Sequence, residues 1–268
     1  MKLSAKEKQR LKSKYGDWAI VTGASSGIGL ELATQLADAG FNLIINGRNE
    51  GKLLDAEHFL TRRNIQVRSV VADLSESEGI EKIILAANGL KTGLLINNAG
   101  YGTSGLFVDS SLHSEINMLR VNCEAVLSLT HYFSQRFKQQ KRGGIIFLSS
   151  LVAFQGVPYA ANYAATKAYI QSFAEALAIE LKPYAVDILV AAPGPVESGF
   201  GRRANMKMNN SISPDKIGVP VLSALGKQSN VIPGLLSKIL VYSLRTVPRS
   251  MKIRIMKKVM GGFTKHQR

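Results

Sequence analysis

Short apolar runs alternate with helical segments over most of this chain, and that alternation limits the possible fold more than any other feature. Runs of five or six residues, rich in aliphatic and β-branched side chains, occur at 18–22, 42–46, 66–71, 93–97, 144–149 and 186–190, with a short last run near 230. Apolar strands that alternate with helices form a parallel sheet covered on both faces. We therefore predict a single α/β domain with a doubly wound parallel sheet of about seven strands.

The positive charge of the chain is concentrated at its two ends. The net charge is +15, and residues 1–14 hold six Lys or Arg and one Glu, whereas residues 245–268 hold eight Lys or Arg and no acid. The part between them is nearly neutral. We predict a basic N-terminal extension over 1–14, a central domain over 15–234 and a basic helical extension over 235–268.

Several classes of protein are disfavoured by composition. No stretch of 18 uncharged apolar residues occurs, and the first residues lack the apolar run of a signal peptide. We therefore expect a cytoplasmic protein that does not span a membrane. The single cysteine, Cys123, excludes an internal disulfide. The four histidines have no ligand spacing, so no metal site is predicted.

A glycine-rich turn follows the first predicted strand and opens the first helix. Glycine lets backbone N–H groups at a helix N-terminus approach a pyrophosphate closely. The alternative is a plain tight turn, but the order of strand, turn and helix favours a Rossmann-type dinucleotide site. The spacing is Gly-x-x-x-Gly-x-Gly, and the expected ligand contacts are Gly23, Ser25, Ser26, Gly27, Ile28 and Gly29.

Residues after the next strands indicate which dinucleotide binds. The second strand ends without a carboxylate for a ribose hydroxyl, and Arg48 there can face a ribose phosphate, so NADP(H) is favoured over NAD(H). The alternative role of Arg48 is to stack on the adenine of either cofactor. Asp73 is predicted to accept a hydrogen bond from adenine, or to cap a helix that begins near Ser75. The residues expected to line the cleft after the fourth strand are Asn98, Ala99 and Gly100.

A phenol and an ammonium group stand four residues apart at the start of a long alanine-rich segment. Between Ala160 and Leu181 the sequence holds no glycine or proline, which predicts a helix. Residues four apart share a helical face, so Tyr163 and Lys167 lie together. That face continues with Ile170 and other apolar residues, so it points into the protein. The alternative is a buried tyrosine beside a lysine that extends to solvent.

Five short motifs follow one another in a fixed order along the central domain. They are Thr22-Gly23-x-x-x-Gly27-Ile28-Gly29, Asn97-Asn98-Ala99-Gly100, Ser149-Ser150, Tyr163-x-x-x-Lys167 and Pro193-Gly194. In order and spacing, the motifs resemble those of the short-chain dehydrogenases/reductases, and the resemblance covers about residues 15–200. It implies a catalytic set of Asn122, Ser150, Tyr163 and Lys167. It also implies a nicotinamide-binding loop that contains Pro193, Gly194, Val196 and Ser198, although the family more often has threonine in place of Ser198.

The resemblance implies an NADPH-dependent oxidoreductase that reduces the carbonyl group of an apolar ketone, such as a 3-oxoacyl group or a steroid. Hydride transfer builds negative charge on the carbonyl oxygen, which needs a positioned proton donor. Lys167 is expected to lower the pKa of Tyr163, which donates the proton. Ser150 is expected to hold the carbonyl oxygen, and Asn122 to hold a water that links the lysine to solvent. Oxidation of an alcohol or hydroxysteroid is the alternative direction.

The family resemblance extends to the substrate pocket and to oligomerisation. It implies that residues 199–213 form a lid over the substrate. The residues expected to contact the substrate are Tyr101, Leu151, Tyr159 and Phe200. Long helices like those around Cys123 and Ile170 often form dimer interfaces in this family, so a homodimer or homotetramer is expected.

The basic segment 235–268 has the pattern of an amphipathic helix, and weak peripheral association with an anionic membrane is one hypothesis for it. The alternatives are packing on the body and an oligomer contact. A protein of another class, a non-catalytic nucleotide-binding protein with basic ends on a membrane or nucleic acid, is disfavoured by the complete set of four catalytic residues. Nucleic acid is also disfavoured because the ends contain almost no aromatic residues.

Overall fold

The strands form one sheet. The structure is a computed structural model that describes residues 1–208, 211–244 and 246–267, without the side chain of Leu236. Within those residues the strands are β1 (Trp18–Val21), β2 (Asn42–Gly47), β3 (Val67–Val71), β4 (Thr92–Asn97), β5 (Gly143–Leu148), β6 (Val186–Ala191) and β7 (Asn230–Val231). Neighbouring strands are all parallel, in the order β3-β2-β1-β4-β5-β6-β7. The predicted doubly wound, Rossmann-type sheet of about seven strands is confirmed.

Helices connect the strands and cover the sheet. In the described part of the chain they are α1 (Ala5–Tyr15), α2 (Gly27–Asp38), α3 (Glu50–Thr61), α4 (Ser77–Ala86), α5 (Leu112–Leu119), α6 (Ala125–Gln140), α7 (Ala161–Glu180), α8 (Phe200–Arg203), α9 (Asp215–Ala224), α10 (Leu235–Leu244) and α11 (Arg249–Phe263). A π-helical turn, Arg120–Glu124, joins α5 to α6. Among the described helices, none is both long and apolar enough to cross a membrane.

Two apolar clusters, one on each face of the sheet, hold the helices in place. One cluster joins the sheet to α2, α3 and α9 and contains Leu36 and Ile45, whereas the other joins it to α4, α6 and α7 and contains Phe133 and Ile44. Ile44 and Ile45 are adjacent in β2 and both are fully buried, but they belong to opposite clusters. This follows because side chains alternate between the two faces of a strand.

The basic N-terminal segment forms α1, which packs against the body of the protein. Leu11 is fully buried in the first apolar cluster. The hydroxyl of Tyr15 donates a hydrogen bond of 2.7 Å to Asp187 Oδ2, and Lys14 forms an ion pair with the same carboxylate at 2.7 Å. Six of the eleven residues of α1 are charged, so its sequence shows little of the apolar spacing that predicts a packed helix.

The C-terminal segment folds into two helices, whereas its sequence pattern predicted one. Pro248 separates them because its backbone is extended (ψ 144°), and α11 begins immediately after it. Met256 and Met260 of α11 are buried in a third apolar cluster, together with Tyr101 and Tyr163. The C-terminal segment therefore lies over the carboxyl edge of the sheet. Residues 209 and 210 of the predicted lid lie outside the described residues.

Candidate active site

The order of the strands opens a crevice between β1 and β4. The chain leaves β1 toward β2 and later returns to its other side as β4, and open α/β sheets bind ligands at such a reversal, outside the carboxyl ends of the strands. A cavity of about 760 Å³ occupies this position. The predicted cofactor-binding residues all line it: Gly23, Ser25, Ser26, Gly27, Ile28, Gly29, Arg48, Asp73, Asn98, Ala99, Gly100, Tyr163, Lys167, Pro193, Gly194, Val196 and Ser198.

The glycine turn packs so closely against its neighbours that it has no room for larger side chains. Gly23 and Gly27 have left-handed backbone angles, with φ of 65° and 58°. A Cβ atom on Gly27 would lie 2.8 Å from Cβ of Ser198, and one on Gly29 would collide with the carbonyl of Gly23 and the amide of Asn98. The turn leads directly into the N-terminus of α2, whose free N–H groups attract anions. These features fit a dinucleotide pyrophosphate.

Hydrogen bonds lock the glycine turn to the neighbouring strand. The side chain of Asn98 donates to the carbonyls of Thr22 and Gly23 at 2.8 and 3.1 Å. In return, the Thr22 hydroxyl accepts from the backbone N–H groups of Asn98 and Ala99, each at 3.0 Å. The motifs after β1 and β4 therefore form one rigid unit. Thr22 lies in the first motif, but it was not predicted as a site residue.

The end of the cavity beside β2 and β3 carries two cations and one carboxylate. Arg48 forms an ion pair of 3.3 Å with Asp73, and Lys52 lines the same region. The other carboxylate oxygen of Asp73 accepts from the backbone N–H and the hydroxyl of Ser75, both at 2.9 Å. Partial burial raises the pKa of Asp73, but these hydrogen bonds and the Arg48 charge outweigh it, so the pKa lies below its ordinary value. Asp73 closes the turn before α4, since that helix begins at Ser77.

Lys167 is a buried ammonium group in the second turn of α7. Only 7% of its surface is exposed. Its Nζ atom donates a hydrogen bond of 2.8 Å to the carbonyl of Leu148, at the end of β5, and lies 5.9 Å from the centre of the Tyr163 ring. Burial lowers the pKa of Lys167 to about 8. The predicted shared face of Tyr163 and Lys167 is thus observed.

Tyr163 lies one turn before the lysine, with 8% of its surface exposed. Its ring packs against Phe200 at a centroid distance of 5.2 Å. Burial raises the pKa of the phenol to about 12, while a hydrogen bond with Ser150 opposes the rise. The expected lowering of this pKa is not found in the protein alone, because burial disfavours the phenolate and outweighs the opposing effects. The Lys167 ammonium group is engaged by the Leu148 carbonyl.

Asn122 lies in the π-helical turn, behind the wall of the cavity. Its Oδ1 accepts from the backbone N–H of Tyr101 at 3.1 Å, and its Nδ2 donates to the Tyr101 carbonyl at 2.9 Å and to the Thr166 hydroxyl at 3.0 Å. Single π turns inside helices are frequent at functional sites. A Cβ on Gly100 would lie 3.0 Å from Asn122 Oδ1 and 3.4 Å from Lys167 Nζ, so both polar atoms lie beside this glycine.

The loop after β6 forms another wall of the cavity and meets the glycine turn at Ser198. The carbonyl of Pro193 accepts a hydrogen bond of 3.2 Å from the backbone N–H of Leu151. A Cβ on Gly194 would lie 2.6 Å from the hydroxyl oxygen of Ser237 in α10. The Ser198 hydroxyl accepts from the backbone N–H of Phe200 at 3.3 Å, at the start of α8. The loop therefore joins the sheet edge to both the lid and the C-terminal helices.

The outer part of the cavity is apolar and is roofed by the lid and the C-terminal helices. The predicted substrate residues Tyr101, Leu151 and Phe200 line it. So do Met206 and Met208 of the lid, as the lid sequence suggests. The C-terminal helices add apolar residues that the sequence did not indicate: Leu240, Met256, Val259, Met260 and Phe263. Their contact with the site joins segments about a hundred residues apart, which no local pattern reports.

The structure does not place Tyr159 in this cavity. Tyr159 lines a separate cavity of about 310 Å³, together with Leu106 and Phe107. Its backbone is left-handed, with φ of 69°, and its carbonyl accepts a hydrogen bond of 2.9 Å from the backbone N–H of Gly105. Tyr159 is not among the residues that line the crevice, so the structure does not place the predicted substrate contact there.

Comparison with known proteins gives the family of the chain. A family model described as short chain dehydrogenase matches residues 17–209. The chain belongs to the short chain dehydrogenase family, whose members are oxidoreductases with a fold that binds NAD or NADP.

Individual relatives are named for two kinds of substrate. A very-long-chain 3-oxoacyl-CoA reductase from Podospora anserina is 35% identical over 185 residues, which is 67% of this chain and 54% of that protein. The chain thus spans about half the length of this fungal relative. A 7beta-hydroxysteroid dehydrogenase from Mediterraneibacter gnavus is 28% identical over 87% of this chain and 91% of that protein.

Solved structures show the same fold. A 7beta-hydroxysteroid dehydrogenase superposes with a TM-score of 0.85 at 26% identity, over 92% of this chain and 98% of that chain. A short-chain dehydrogenase from Sphingobium yanoikuyae in complex with NADPH superposes with a TM-score of 0.80 at 25% identity, over 88% of this chain and 94% of that one.

Proposed function

We propose that this protein reduces the carbonyl group of an apolar ketone with NADPH. The observation that carries the proposal is the position of Tyr163, Ser150 and Lys167 in the cavity, between the glycine turn and an apolar pocket. Relatives named as a 3-oxoacyl-CoA reductase and a 7beta-hydroxysteroid dehydrogenase support this reaction class. The opposite direction, oxidation of an alcohol or hydroxysteroid, uses the same residues.

The chemistry follows from the electrostatics of the three side chains. A bound nicotinamide cofactor supplies the hydride. The raised pKa of Tyr163 keeps the phenol protonated at neutral pH, so it serves as the proton donor to the developing oxyanion. The Ser150 hydroxyl holds the carbonyl oxygen beside that phenol. The Lys167 ammonium group, 5.9 Å from the centre of the Tyr163 ring, favours the negative charge that develops on the phenol as the proton leaves.

Asn122 is assigned a positioning role. Its three hydrogen bonds hold the backbone of Tyr101 and the hydroxyl of Thr166, and its Oδ1 lies beside Gly100 near Lys167 Nζ. An amide oxygen has two lone pairs, so Oδ1 retains one acceptor position for a water that hydrogen-bonds the lysine. Such a water would return protons to Lys167 after each turnover.

The preference for NADPH over NADH rests on the charges beside β2. Arg48 and Lys52 line the part of the cavity where β2 ends, which in this kind of fold faces the ribose of adenosine. Two cations beside one carboxylate, Asp73, leave a net positive charge that suits a ribose phosphate. Kinetics with NADPH and NADH test this, and a clear preference for NADH would contradict it.

The proposed reaction is tested by Tyr163→Phe. NADPH oxidation is followed across ketones, 3-oxoacyl thioesters and ketosteroids. The variant is expected to lose turnover while still binding NADPH, because only the proton donor is removed. Tyr169→Phe, on the exposed side of the same helix, is the matched control and should keep wild-type turnover. Activity of Tyr163→Phe within tenfold of wild type would remove the mechanism.

The proposed boundaries are a basic N-terminal extension at 1–14, a catalytic domain at 15–234 with its lid at 199–213, and a basic C-terminal extension at 235–268. Peripheral membrane association is assigned to the last of these. Leu235, Ile239 and Tyr242 of α10 are 75, 56 and 53% exposed, and no acidic residue follows Asp215 in the chain. Apolar side chains among cations favour an anionic membrane surface. Co-flotation with anionic liposomes at low salt tests this association. Recovery of the protein only in the soluble fraction, without liposomes, would reject it.

A homodimer or homotetramer is the proposed oligomeric state. Ile116, Leu119 and Leu127, on the α5–α6 segment, and Tyr169, on α7, are apolar or aromatic side chains exposed by 39–44%. Such side chains on long neighbouring helices favour an interface between copies. Sedimentation equilibrium measures the mass in solution, and a monomer at micromolar concentration would reject the proposal.

A further inference from the structure

The charged groups that line the cavity are not evenly distributed. Arg48, Lys52 and Asp73 lie at the cofactor end, beside β2 and β3, and Lys167 lies at the floor. Among the described residues, the one further charged residue of the lining is Arg203, in α8 of the lid. The lining residues from the lid and α11 are otherwise apolar: Met206, Met208, Met256, Val259, Met260 and Phe263. In the described part of the chain, the substrate side of the cavity therefore combines apolar walls with one positive charge.

Arg203 is held in place by an aromatic ring. Its guanidinium carbon lies 3.8 Å from the centre of the Tyr101 ring, so the planar group stacks on the ring face. The ring itself is fixed, because its hydroxyl donates to Asn117 Oδ1 at 2.6 Å and its backbone is bonded to Asn122. An arginine that stacks in this way is oriented before any ligand arrives.

Stacking leaves the hydrogen-bond donors of Arg203 available. A guanidinium group has five N–H donors at its edge, and stacking uses only its face. In the described residues, the Arg203 side chain has no ion pair or hydrogen bond with the protein. Arg10, by contrast, donates to Glu7 and to backbone carbonyls. Arg203 is exposed to solvent where it lines the cavity. Because it lacks an acidic partner among the described residues, its donors are open to an anionic ligand that enters the cavity.

Arg203 and the phenol of Tyr163 lie close enough that one ligand can contact both groups. Phe200 begins α8 and packs on Tyr163, and Arg203 is three residues further along the same helical face. Three residues of helix rise by about 4.5 Å. A ketone whose carbonyl lies at Tyr163 can thus place a second group against Arg203 without leaving the cavity.

We propose that Arg203, stacked on Tyr101, forms an anion subsite that selects ketones with a carboxylate or phosphate group at the end remote from the carbonyl. The inference rests on the proposed carbonyl reduction and names its substrate class as amphipathic anions. The phosphates of the cofactor are anions too and would also pair with an arginine. We favour the substrate as the partner of Arg203 because the pyrophosphate has its own site at the glycine turn, and because Arg203 lies among the apolar lid residues.

The test compares a keto-steroid carboxylic acid with its methyl ester, and a 3-oxoacyl coenzyme A with its neutral N-acetylcysteamine thioester. Binding to the NADP⁺ complex is measured by calorimetry, which requires no turnover. Arg203→Gln is expected to raise the Kd and KM of the anionic ligands at least tenfold and to leave those of the neutral ones within twofold. Arg202→Gln, at the preceding residue, which is also exposed but does not line the cavity, should change neither, and Arg203→Lys should restore part of the loss.

Three outcomes would overturn the inference. Equal weakening of anionic and neutral ligands by Arg203→Gln would show that the side chain only packs. A tenfold weakening of NADPH itself would assign the charge to the cofactor phosphates. No measurable binding of either anion to the wild-type NADP⁺ complex would mean that the subsite does not exist. If the anions bind as expected but no ketone is reduced, then carbonyl reduction fails while the anion subsite stands.

Discussion

Replacing Lys167 with methionine should stabilise the protein and abolish its activity. The ammonium group is buried, and burial lowers its pKa from 10.5 to about 8. Each pKa unit corresponds to about 1.4 kcal/mol, so keeping this group charged in the folded state costs about 3 kcal/mol. Methionine has a similar unbranched chain without the charge, so it fills the same space without that penalty.

The loss of one hydrogen bond reduces the expected gain. Lys167 Nζ donates to the Leu148 carbonyl at 2.8 Å, and methionine leaves this buried acceptor without its partner. An unsatisfied buried group costs roughly 1–3 kcal/mol. The penalty of about 3 kcal/mol minus this loss leaves a net increase of about 0–2 kcal/mol in the free energy of unfolding of Lys167→Met at pH 7.

The pH dependence distinguishes this explanation from a general packing effect. The folded-state pKa of Lys167 lies below that of the unfolded chain, so between about pH 8 and 10.5 the unfolded state binds more protons. The stability of the wild type therefore rises with pH through this window, because the penalty is full below pH 8 and absent above 10.5. Lys167→Met lacks this term, so its advantage should shrink by about 2 kcal/mol between pH 7 and 9.5.

Urea unfolding followed by circular dichroism at pH 7 and 9.5 measures the effect. Lys182→Met, at an exposed lysine just after α7, is the control and should match the wild type at both pH values. A Lys167→Met variant that is less stable than wild type at pH 7, or whose stability difference is the same at both pH values, would refute the assignment of a strained buried charge.

Three further substitutions test other parts of the structure. Arg48→Ala should raise the Kd of NADPH at least tenfold and leave that of NADH within about twofold, measured by cofactor fluorescence; equal losses would remove the ribose-phosphate argument. Gly29→Ala adds a Cβ that collides with backbone and amide atoms, so it should weaken dinucleotide binding and destabilise by roughly 1–3 kcal/mol. Gly262→Ala, where a Cβ meets nothing within 4 Å, is its control. Leu11→Ala should destabilise by about 2–5 kcal/mol in urea because Leu11 is fully buried; an unchanged midpoint would mean that α1 is not part of the cooperative unit.

The strands and the rim of the sheet are predictable because their signals are local. Each buried strand is a short continuous apolar run, and the residues that meet a ligand follow it directly in the sequence, as Gly23 follows β1 and Asn98 follows β4. Helix α1 gives a weaker signal, since most of its residues are charged and its burial depends on contacts such as that of Tyr15 with Asp187. Those partners are more than a hundred residues apart.

The chemical state of the site depends on three-dimensional surroundings that motif spacing does not contain. Spacing places Tyr163 and Lys167 on one face, which the structure shows. The direction of the pKa shift of Tyr163 is decided instead by burial, which outweighs the hydrogen bond with Ser150. The π turn that holds Asn122 is likewise not visible from residue types, because it arises from one extra residue within an otherwise regular helix.

The C-terminal helices show how structure restricts a prediction that sequence leaves open. An amphipathic basic helix can lie on a membrane or on the protein. In α11, Met256 and Met260 are buried over the cavity, so rotating this face into a bilayer would remove the roof of the substrate pocket. A membrane contact compatible with a closed site must therefore use α10, where Ile239 and Tyr242 are exposed while Leu240 lines the cavity. Ile239→Ser and Tyr242→Ser, at exposed positions of α10, should then weaken liposome binding without changing KM, whereas Met256→Ala should change KM without changing liposome binding.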